Sequence, residues 1–309
     1  MLPARQTPSD PSQAWLQRVN AAVDYVLANL DQPLKLETVA HATGLSPFHF
    51  HRVFRAAMGE TLARFVKRVR LDRALSILTY EPRRPLTDVA LACGFNSLSD
   101  FSRSFKQRFG VPPSAFDVQT FRRERREEWQ AAVAEPGDRH RLARLPDGEN
   151  PDGFTVELRR LPARRVAYVR VLDSFRPHAV ERAIERMVAW AEQRGLAGGQ
   201  WLGWMWDDPE ITAAKDCRYD VGLEVARTFA SAEVGCIDFP PMLIAQIEVR
   251  GPIDLEVRAI DWMFRTWMPA SGYVPADQPS FEAWIGRPFA HGNEHFEILA
   301  QFPVERPRP

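Results

Sequence analysis

The sequence is poor in cysteine, the residue that forms the disulfide bonds of small secreted domains and binds many structural metals. Cys93, Cys217 and Cys236 are the three cysteines among 309 residues, and no two of them form a CxxC pair. Cysteines this few and this far apart are typical of reduced thiols, and they argue against a disulfide or zinc framework. We therefore interpret all three as structural residues.

Long apolar segments are also missing. No run approaches the roughly 18 consecutive apolar residues of a membrane-spanning helix. The first ten residues, MLPARQTPSD, lack the continuous apolar core of a signal peptide. We expect a cytoplasmic protein without a membrane partner.

Motifs of common enzymes and cofactor sites are absent as well. The sequence contains no glycine-rich phosphate loop, no nucleophile elbow and no spaced cluster of metal ligands. HGNEH, residues 291–295, lies in a predicted hairpin and is not the helical HExxH arrangement. We therefore expect no metal, no cofactor and no catalytic residue, and we classify the chain as a non-enzyme.

A net charge of zero conceals two halves of opposite sign. Residues 1–130 contain 19 Lys and Arg against 13 Asp and Glu, whereas residues 131–309 contain 21 against 27. A basic half suggests a polyanionic partner for that half alone. Pro, Gly, Asp and Asn accumulate in residues 132–153, which predicts a linker there, and RRERREEWQ before it predicts a solvated helical extension.

The basic half contains an internal repeat. LETVAHATGLSPFHFHRVFRAAMG, residues 36–59, aligns with LTDVALACGFNSLSDFSRSFKQRFG, residues 86–110. Each copy predicts a short helix, a glycine turn at Gly44 or Gly94, and a second helix capped by Ser46 or Ser97. The inner face of the first copy's second helix is apolar, at Phe50, Val53 and Phe54.

The repeat is the pattern of a helix-turn-helix unit, and a long helix joins its two copies. Residues 61–80 contain no Gly or Pro and are amphipathic. Twenty helical residues span roughly 30 Å, close to the rise of one turn of B-DNA. The two units are therefore spaced to reach successive segments of the major groove.

These residues resemble the DNA-binding domain of the AraC family of bacterial transcription regulators. The resemblance rests on SPFHFHRVFRAAMG, KRVRLDRALSIL and GFNSLSDFSRSFKQRFGVPPSAF. It implies double-stranded DNA as a partner, with RNA polymerase as a further candidate partner. One departure is Asp117, where the family usually has a basic residue, and this puts one phosphate contact in doubt.

The resemblance also implies which residues contact DNA. Arginine suits guanine O6 and N7, and an aromatic ring such as Phe48 suits a thymine methyl. Arg55 and Lys106, which each follow directly after a phenylalanine, suit phosphate oxygens. The alternative for Arg52 and Arg103 is an internal salt bridge. The implied set is Phe48, His51, Arg52, Arg55, Leu98, Ser99, Ser102, Arg103 and Lys106.

The acidic half repeats itself too, with the order strand, helix, strand, strand. LPARRVAYVRV aligns with FPPMLIAQIEV, GWMWDDP with EAWIGRP, and RYDVGLEV with HFEILAQF, at offsets of about 78 residues. Two such units predict one sheet with two helices on one face, related by an approximate two-fold axis. The helix-facing set predicted for the last strand is Phe296, Ile298, Ala300 and Phe302.

Alternation within SFEAW predicts a groove on the open face of that sheet. It separates Glu282 and Trp284 from Phe281 and Ala283, which we expect to face the helices. Gly203 is the repeat partner of Glu282, and a glycine there leaves space beside the carboxylate. The expected ligand-binding residues are Tyr168, Met205, Glu282 and Trp284. The alternative for Glu282 is a solvated outer face. Alternation also places Trp204 and Trp206 in the helix-facing core, where core packing is favoured over ligand contact.

Residues 153–305 resemble a GyrI-like effector-binding domain, on the evidence of VELRRLPARRVAYVRV, WDDP, CRYDVGLEV and SGYVPADQPSFEAW. In that family the position of Glu282 is the acidic residue of the ligand groove, although Trp284 stands where tyrosine is common. Aromatic walls and one carboxylate favour a lipophilic or cationic aromatic ligand. Two alternatives stay open for this half: a hydrolase that activates water with Glu282, and a module that binds another protein.

The combined prediction is a multidomain chain, with an all-α double helix-turn-helix domain followed by an α+β domain of two strand-helix-strand-strand repeats. Its function would be transcription regulation in response to a small molecule, as in multidrug sensing. The predicted segments are a flexible tail at 1–14, the DNA-binding domain at 15–121, a helical extension and linker at 122–152, and the effector-binding domain at 153–309.

Overall fold

The computed structural model describes residues 11–133, 145–146, 148–229, 234–288, 290 and 295–307. The chain divides into two compact units. The first comprises Met1–Leu75, Arg84–Phe116 and Phe229–Gly235, and the second comprises Ser76–Arg83, Asp117–Thr228 and Cys236–Pro309. Within the described ranges, no helix combines the length and apolar character needed to cross a membrane. Most of the predicted linker and of HGNEH lies outside the described residues.

In the described part of the chain, six helices and one short turn precede residue 117. They are α1 (Pro11–Ala28), α2 (Leu36–Ala42), α3 (Pro47–Met58), α4 (Leu62–Tyr80), α5 (Leu86–Ala92), α6 (Leu98–Phe109) and a 3-10 turn (Pro113–Ala115). Helix α1 therefore includes residues 11–14, which the sequence analysis assigned to a tail. The helical pairs α2–α3 and α5–α6, with α4 between them, confirm the predicted double helix-turn-helix fold.

The turns inside both helix pairs form as their residues predict. Gly44 and Gly94 have φ angles of 68° and 79°, in the left-handed region that favours glycine. Ser46 Oγ accepts from His49 N at 3.4 Å, and Ser97 Oγ accepts from Asp100 N at 3.2 Å. Each serine thereby satisfies one of the free N–H groups at a helix start.

Phenylalanine rings form the interior behind each second helix. Phe50 and Phe54 are completely buried, and Phe54 contacts Phe65 of α4 with ring centroids 5.6 Å apart. Phe101 and Phe105 repeat this arrangement behind α6, with centroids 5.6 Å apart. The apolar face of each second helix is consequently used for packing, and its polar face is left exposed.

Arginines tie α4 to both helix pairs. Arg70 donates from Nε to Leu30 O at 2.9 Å, just before α2. Arg108 of α6 donates to Asp72 of α4 at 2.6 Å and to Arg68 O at 2.7 Å. These side chains are therefore committed to the internal structure of the first unit.

The second unit is built on one antiparallel sheet. Its strands are β1 (Glu157–Leu161), β2 (Arg164–Val171), β3 (Trp201–Met205), β4 (Tyr219–Glu224), β5 (Gly235–Phe239), β6 (Met242–Gly251), β7 (Val274–Pro275), β8 (Ser280–Trp284) and β9 (Phe296–Glu305). The helices are α7 (Val118–Val133), α8 (Ala179–Glu192), α9 (Ile253–Trp262) and α10 (Met268–Ser271), with a π-helical turn at Met263–Trp267 before α10.

The strand order β1-β6-β9-β8-β3-β4-β2-β5 shows the internal repeat directly. The first repeat contributes β2, α8, β3 and β4, and the second contributes β6, α9, β8 and β9. Their third elements, β3 and β8, pair at the centre, and the leading strands β1 and β5 pair with β6 and β2 of the opposite repeat. The predicted α+β fold of two strand-helix-strand-strand repeats is confirmed.

The helical extension after residue 117 is not the solvated helix that its charges suggested. Arg122 of α7 forms ion pairs of 2.7 Å with both Asp208 and Glu210. Arg126 pairs with Glu210 at 2.8 Å and with Asp261 of α9 at 2.9 Å. Both arginines are largely buried because their partners come from distant parts of the second unit, which charge spacing within the helix does not reveal.

The expected face of β8 is also wrong. Glu282 pairs with Ala300 across β8 and β9, so both side chains point to the same side of the sheet. That side packs against the helices, since Phe302 of β9 contacts Phe264 after α9 with centroids 5.3 Å apart. Phe281 points to the other side instead. That side carries a second buried cluster of Val166, Tyr168, Leu202, Trp204, Phe239, Phe281 and Ala283. Trp204 therefore lies in this cluster, with Trp206 packed against it, and not in the helix-facing core where both were expected.

The turn glycines allow a test of the first unit's packing. A Cβ at Gly94 would lie 2.1 Å from Leu30 O, whereas a Cβ at Gly44 would meet nothing within 4 Å. Gly44→Ala should therefore cost about 1 to 2 kcal/mol, the cost of a left-handed residue, and Gly94→Ala about 2 to 5 kcal/mol because backbone must also move. Urea unfolding followed by helical circular dichroism measures both. Equal losses would contradict the close approach at Gly94.

Candidate functional site

Helix α3 presents a polar face with one large exposed ring. Phe48 is 75% exposed although it is aromatic, and its ring lies 5.9 Å from the guanidinium carbon of Arg52. Arg52 and Arg55 are exposed, and His51 is half-buried. An exposed phenylalanine beside exposed arginines is unusual on a helix whose other face is fully packed, and it marks a surface for a partner.

Helix α6 presents the equivalent face in the second copy. Leu98 is 38% exposed, and Ser99, Arg103 and Lys106 are exposed, while Ser102 is half-buried. The structure thus places all nine predicted DNA-contacting residues on the two second helices, outside the phenylalanine interior. Together with α3, this face offers hydroxyl, guanidinium and ammonium donors.

The alternative role for two of these arginines was an internal salt bridge. Among the described residues, neither Arg52 nor Arg103 forms an ion pair, whereas Arg68 pairs with Glu60 at 2.8 Å and Arg108 pairs with Asp72 at 2.6 Å. The first unit therefore separates its arginines into those that hold the helices together and those that remain available to a partner.

Asp117 has a structural role. Its carboxylate accepts from Thr120 N at 3.0 Å and from Thr120 Oγ1 at 2.7 Å, at the start of α7. The backbone hydrogen bond of Thr120 holds the pKa of Asp117 below its usual value. Asp117 caps a helix, so an acidic residue is favoured here over a basic one.

The second candidate site lies where the two repeats of the second unit meet. Gly203 of β3 pairs with Glu282 of β8, and these positions are equivalent in the repeat. A Cβ on Gly203 would lie 1.8 Å from the hydroxyl oxygen of Tyr219 and 3.0 Å from Glu282 Oε2. Tyr219 donates its hydroxyl to Glu282 at 2.5 Å. Glycine therefore leaves space beside the carboxylate, but the Tyr219 hydroxyl occupies it, so this position is filled and is not the predicted groove.

The helices flank this junction. Helix α8 packs on β2 and β4, and α9 packs on β6 and β9, so the central strands β3 and β8 lie between them. Met205, Glu282 and Trp284 share the helix-facing side by the strand registers. The junction is a site between two helices, and not a groove on the open face.

Tyr168 does not belong to this site. It pairs with Gly222 in β4 and lies on the opposite side of the sheet from Glu282. Its ring contacts Trp204 with centroids 5.9 Å apart, and it is 1% exposed. The structure therefore places three of the four predicted ligand-binding residues on one side of the sheet and the fourth in the second core cluster.

Burial dominates the electrostatics of the junction. It raises the pKa of Glu282 to about 7, although the hydrogen bond from Tyr219 lowers it. Burial and then the carboxyl of Glu282 raise the pKa of Glu256, on α9, well above its usual value. A cation beside these two carboxyl groups would stabilise their ionised forms, because its positive charge would replace the hydration that burial removes.

A cavity of about 350 Å³ lies at the end of β3 and β8 that carries Trp201 and Trp284, and Glu282 does not line it. Trp284 lies two residues from Glu282 on the same side of β8, and its ring is 7% exposed. Its lining provides aromatic and backbone surface and the guanidinium of Arg287, and it contains no carboxylate. Its lining residues are Ala197, Gly198, Gly199, Gln200, Trp201, Trp284, Gly286 and Arg287. Among the described residues, no group of three His, Cys, Asp or Glu could hold a metal ion.

Two residues of the junction were not identified from the sequence. Tyr219 alternates with Val221 and Leu223 in β4, so assigning those apolar residues to the helix-facing side would have placed Tyr219 there. Glu256 lies three residues before the buried Ala259 on α9. Its helical spacing was a usable signal of a buried acid.

Comparisons with known proteins divide the chain at the same place as the folds do. Residues 39–119 match a family model described as a helix-turn-helix domain. Residues 154–305 match one described as a GyrI-like small molecule binding domain. The two matches together cover both candidate sites.

The helix-turn-helix half has many relatives. Regulatory protein SoxS of Salmonella typhimurium is 32% identical over 101 residues, which cover 32% of this chain and 92% of that protein. The regulator YbfP of Bacillus subtilis is 31% identical over 98 residues, or 32% of this chain and 33% of that protein. A probable AraC family regulator from Rhodopseudomonas palustris is a similar solved structure, with 33% identity, a TM-score of 0.29, and coverage of 31% and 91%. The chain thus spans about a third of YbfP.

The raised pKa of Glu282 predicts how stability depends on pH. The folded chain holds this proton to a higher pH than the unfolded chain, whose glutamate has the ordinary value of 4.5. The stabilisation is fully present below about pH 4.5 and is lost as the pH rises through about 7. Glu282→Gln should remove roughly 3 kcal/mol of this dependence and should be more stable than wild type at pH 8. Urea unfolding from pH 5 to 8 tests it, and identical pH profiles would contradict a buried carboxyl.

Proposed function

The chain belongs to the AraC family of transcription regulators and carries a GyrI-like domain, and from this premise we propose that it binds double-stranded DNA through α3 and α6 and a small molecule at Glu282. The exposed faces of the two second helices carry the first half of this proposal. The enclosed carboxylate between α8 and α9 carries the second half. DNA as the partner assigns the protein to the cytoplasm.

The proposed DNA contacts follow from side-chain chemistry. Arg52 and Arg103 hold equivalent places in α3 and α6, and each has a guanidinium that can donate two hydrogen bonds to guanine. Phe48 offers an apolar ring for a thymine methyl. Arg55 and Lys106 lie one turn further along each helix and suit phosphate oxygens, which fix the register of binding.

The proposed ligand is a lipophilic aromatic cation. Its charge would lie near Glu282, where it would lower the carboxyl pKa and displace the proton. Its rings would lie against Trp284 and Trp201, because the aromatic faces attract positive charge by roughly 0.5 to 2 kcal/mol per contact. Tyr219 would help to orient the carboxylate through its hydroxyl.

We propose binding and not catalysis at this site. A DNA-binding half gives ligand occupancy an output, whereas a hydrolase would need no such partner. Incubating the full chain with aromatic esters and epoxides, with Glu282→Gln as a control, tests the distinction. Turnover that is lost in Glu282→Gln would support the hydrolase, and saturable tryptophan quenching without product would support the sensor.

Alanine substitutions test the division of labour on the DNA surface. Arg52→Ala and Arg103→Ala should each weaken binding to a specific DNA sequence, selected by the full chain from a random pool, by about 1 to 3 kcal/mol. Both should leave binding to random DNA nearly unchanged. Lys106→Ala should weaken binding to both kinds of DNA and reduce the salt slope by about 1. Fluorescence anisotropy at several salt concentrations measures these losses. Equal losses on specific and random DNA for both arginines would refute their contacts with bases.

Calorimetry with a cation and a matched neutral compound tests the ligand site. Tetraphenylphosphonium should bind wild type, and Glu282→Gln should weaken it by about 1.5 to 3 kcal/mol. Triphenylphosphine oxide should be affected much less, since stacking remains available to it. Binding of the cation should also weaken as the pH falls below about 7, because the carboxyl must first lose its proton.

Tyr219→Phe provides a second variant at the same carboxylate. Removing the hydroxyl donor should raise the pKa of Glu282 further, so the loss of cation affinity at pH 7 should largely recover at pH 9. Glu282→Gln should show no recovery. Cation affinity that is independent of pH in wild type and in both variants would contradict a role for Glu282.

A further inference from the structure

The side of the sheet that faces away from α8 and α9 carries a cavity of its own, of about 600 Å³. It lies beside the start of β2 and the end of β4, next to the middle of β9, and all its lining residues belong to the second unit. A volume of this size accommodates a small organic ligand. The lining residues are Arg159, Leu161, Pro162, Ala163, Arg164, Arg165, Gly199, Gln200, Glu224, Val225, Ala226, Ala283, Leu299 and Gln301.

Arg164 is the unusual member of this lining. It is 8% exposed, and its guanidinium carbon lies 4.4 Å from the centre of the Phe281 ring. Its Nη1 donates to Gln301 Oε1 at 3.3 Å, and Gln301 in turn donates to Gln246 at 3.0 Å. Within the described residues, Nε and Nη2 of Arg164 are buried and have no hydrogen-bond partner. Buried donors without partners are destabilising because they have lost their hydration, so this arrangement favours an added acceptor.

The protein's own counter-charge satisfies Arg164 poorly. Glu224 Oε1 lies 3.6 Å from Nε, too far for a good hydrogen bond, and its side chain is 34% exposed. Burial raises the pKa of Glu224 and lowers that of Arg164, so both groups lose hydration in this contact. The two groups form a loose pair that an incoming anion could replace.

The remaining charges around the cavity are positive. Arg159 and Arg165 line it with Arg164, against the single carboxylate of Glu224. Arg165 is held by Asp238 at 2.7 Å, whereas the one ion pair of Arg159 among the described residues is a distant contact of 3.7 Å with Glu157. The excess of guanidinium groups favours an anionic ligand over a cationic one.

We propose that this cavity is a second ligand site, specific for a small organic carboxylate with a flat or apolar body. The carboxylate accepts from Nε and Nη2 of Arg164 in the two-bond geometry that guanidinium groups favour, and Glu224 turns to solvent. The apolar body lies against Leu161, Val225 and Leu299. Ala283 lines this cavity, while its neighbour Glu282 points to the other side of the sheet and does not line it. Gly199 and Gln200 line both cavities, so the two sites are neighbours that differ in the sign of the charge they favour.

Calorimetry with naphthalene carboxylate tests the proposal on the full chain. We expect saturable binding to wild type, and at least about tenfold weaker binding of the neutral naphthalenemethanol. Arg164→Gln should weaken the carboxylate by about 10- to 100-fold. Arg160→Gln is the matched control: Arg160 is an exposed neighbour on β1 that does not line the cavity, so the same change in charge should alter affinity less than twofold.

Glu224→Gln keeps the proposal testable if Arg164→Gln does not fold. Removing the competing carboxylate should tighten naphthalene carboxylate binding by about 3- to 10-fold, whereas a merely structural pair would predict no gain. Glu282→Gln should leave this binding unchanged, which separates the outcome from that at the cation site. Absence of saturable binding at millimolar concentration, equal losses in Arg164→Gln and Arg160→Gln, or no tightening in Glu224→Gln would each overturn the proposal.

Discussion

The second unit depends on one close contact between its two repeats. Where β3 and β8 pair, Gly203 faces Glu282, and the missing Cβ lets the Tyr219 hydroxyl reach the carboxylate at 2.5 Å. The pseudo-two-fold axis places equivalent positions opposite each other here, so the two repeats cannot both carry a large side chain at this point. One repeat supplies the acid and the other supplies the space.

The surroundings of that contact also explain why the pKa of Glu282 is raised to about 7. Glu282 has a hydrogen-bond donor, but burial opposes its full negative charge, and its carboxyl in turn helps to raise the pKa of Glu256. The opposite side of the sheet contains the reverse arrangement, with Arg164 buried and only loosely paired with Glu224. By contrast, Arg170 and Asp220 on that side form a buried pair with contacts of 2.9 and 2.6 Å. The loosely paired groups are thus exceptions in a unit that can pair its charges well.

Local signals in the sequence predicted the first unit well. Serine caps, glycine turns and apolar spacing involve residues a few positions apart, and both helix-turn-helix units formed accordingly. The family resemblances of both halves are confirmed, because each rests on several motifs in order. The side of β8 was predicted wrongly because Phe281 and Ala283 are as apolar as core residues facing the helices. Both sides of this sheet are buried, so alternation separates two sides without saying which one meets the helices. The burial of Arg122 was missed because its partners lie 86 and 88 residues away in the chain.

The central claim is that ligand at Glu282 changes binding of DNA by α3 and α6. The most direct measurement has two steps. The full chain is first used to select a bound sequence from random DNA, and the selected DNA is then labelled and titrated with the chain, with and without tetraphenylphosphonium. Anisotropy should show that the cation changes DNA affinity at least about threefold for wild type, a coupling free energy near 0.7 kcal/mol, and not for Glu282→Gln. The account would be contradicted if calorimetry shows that the cation is bound to wild type and the affinity for the selected DNA is nevertheless the same with and without it.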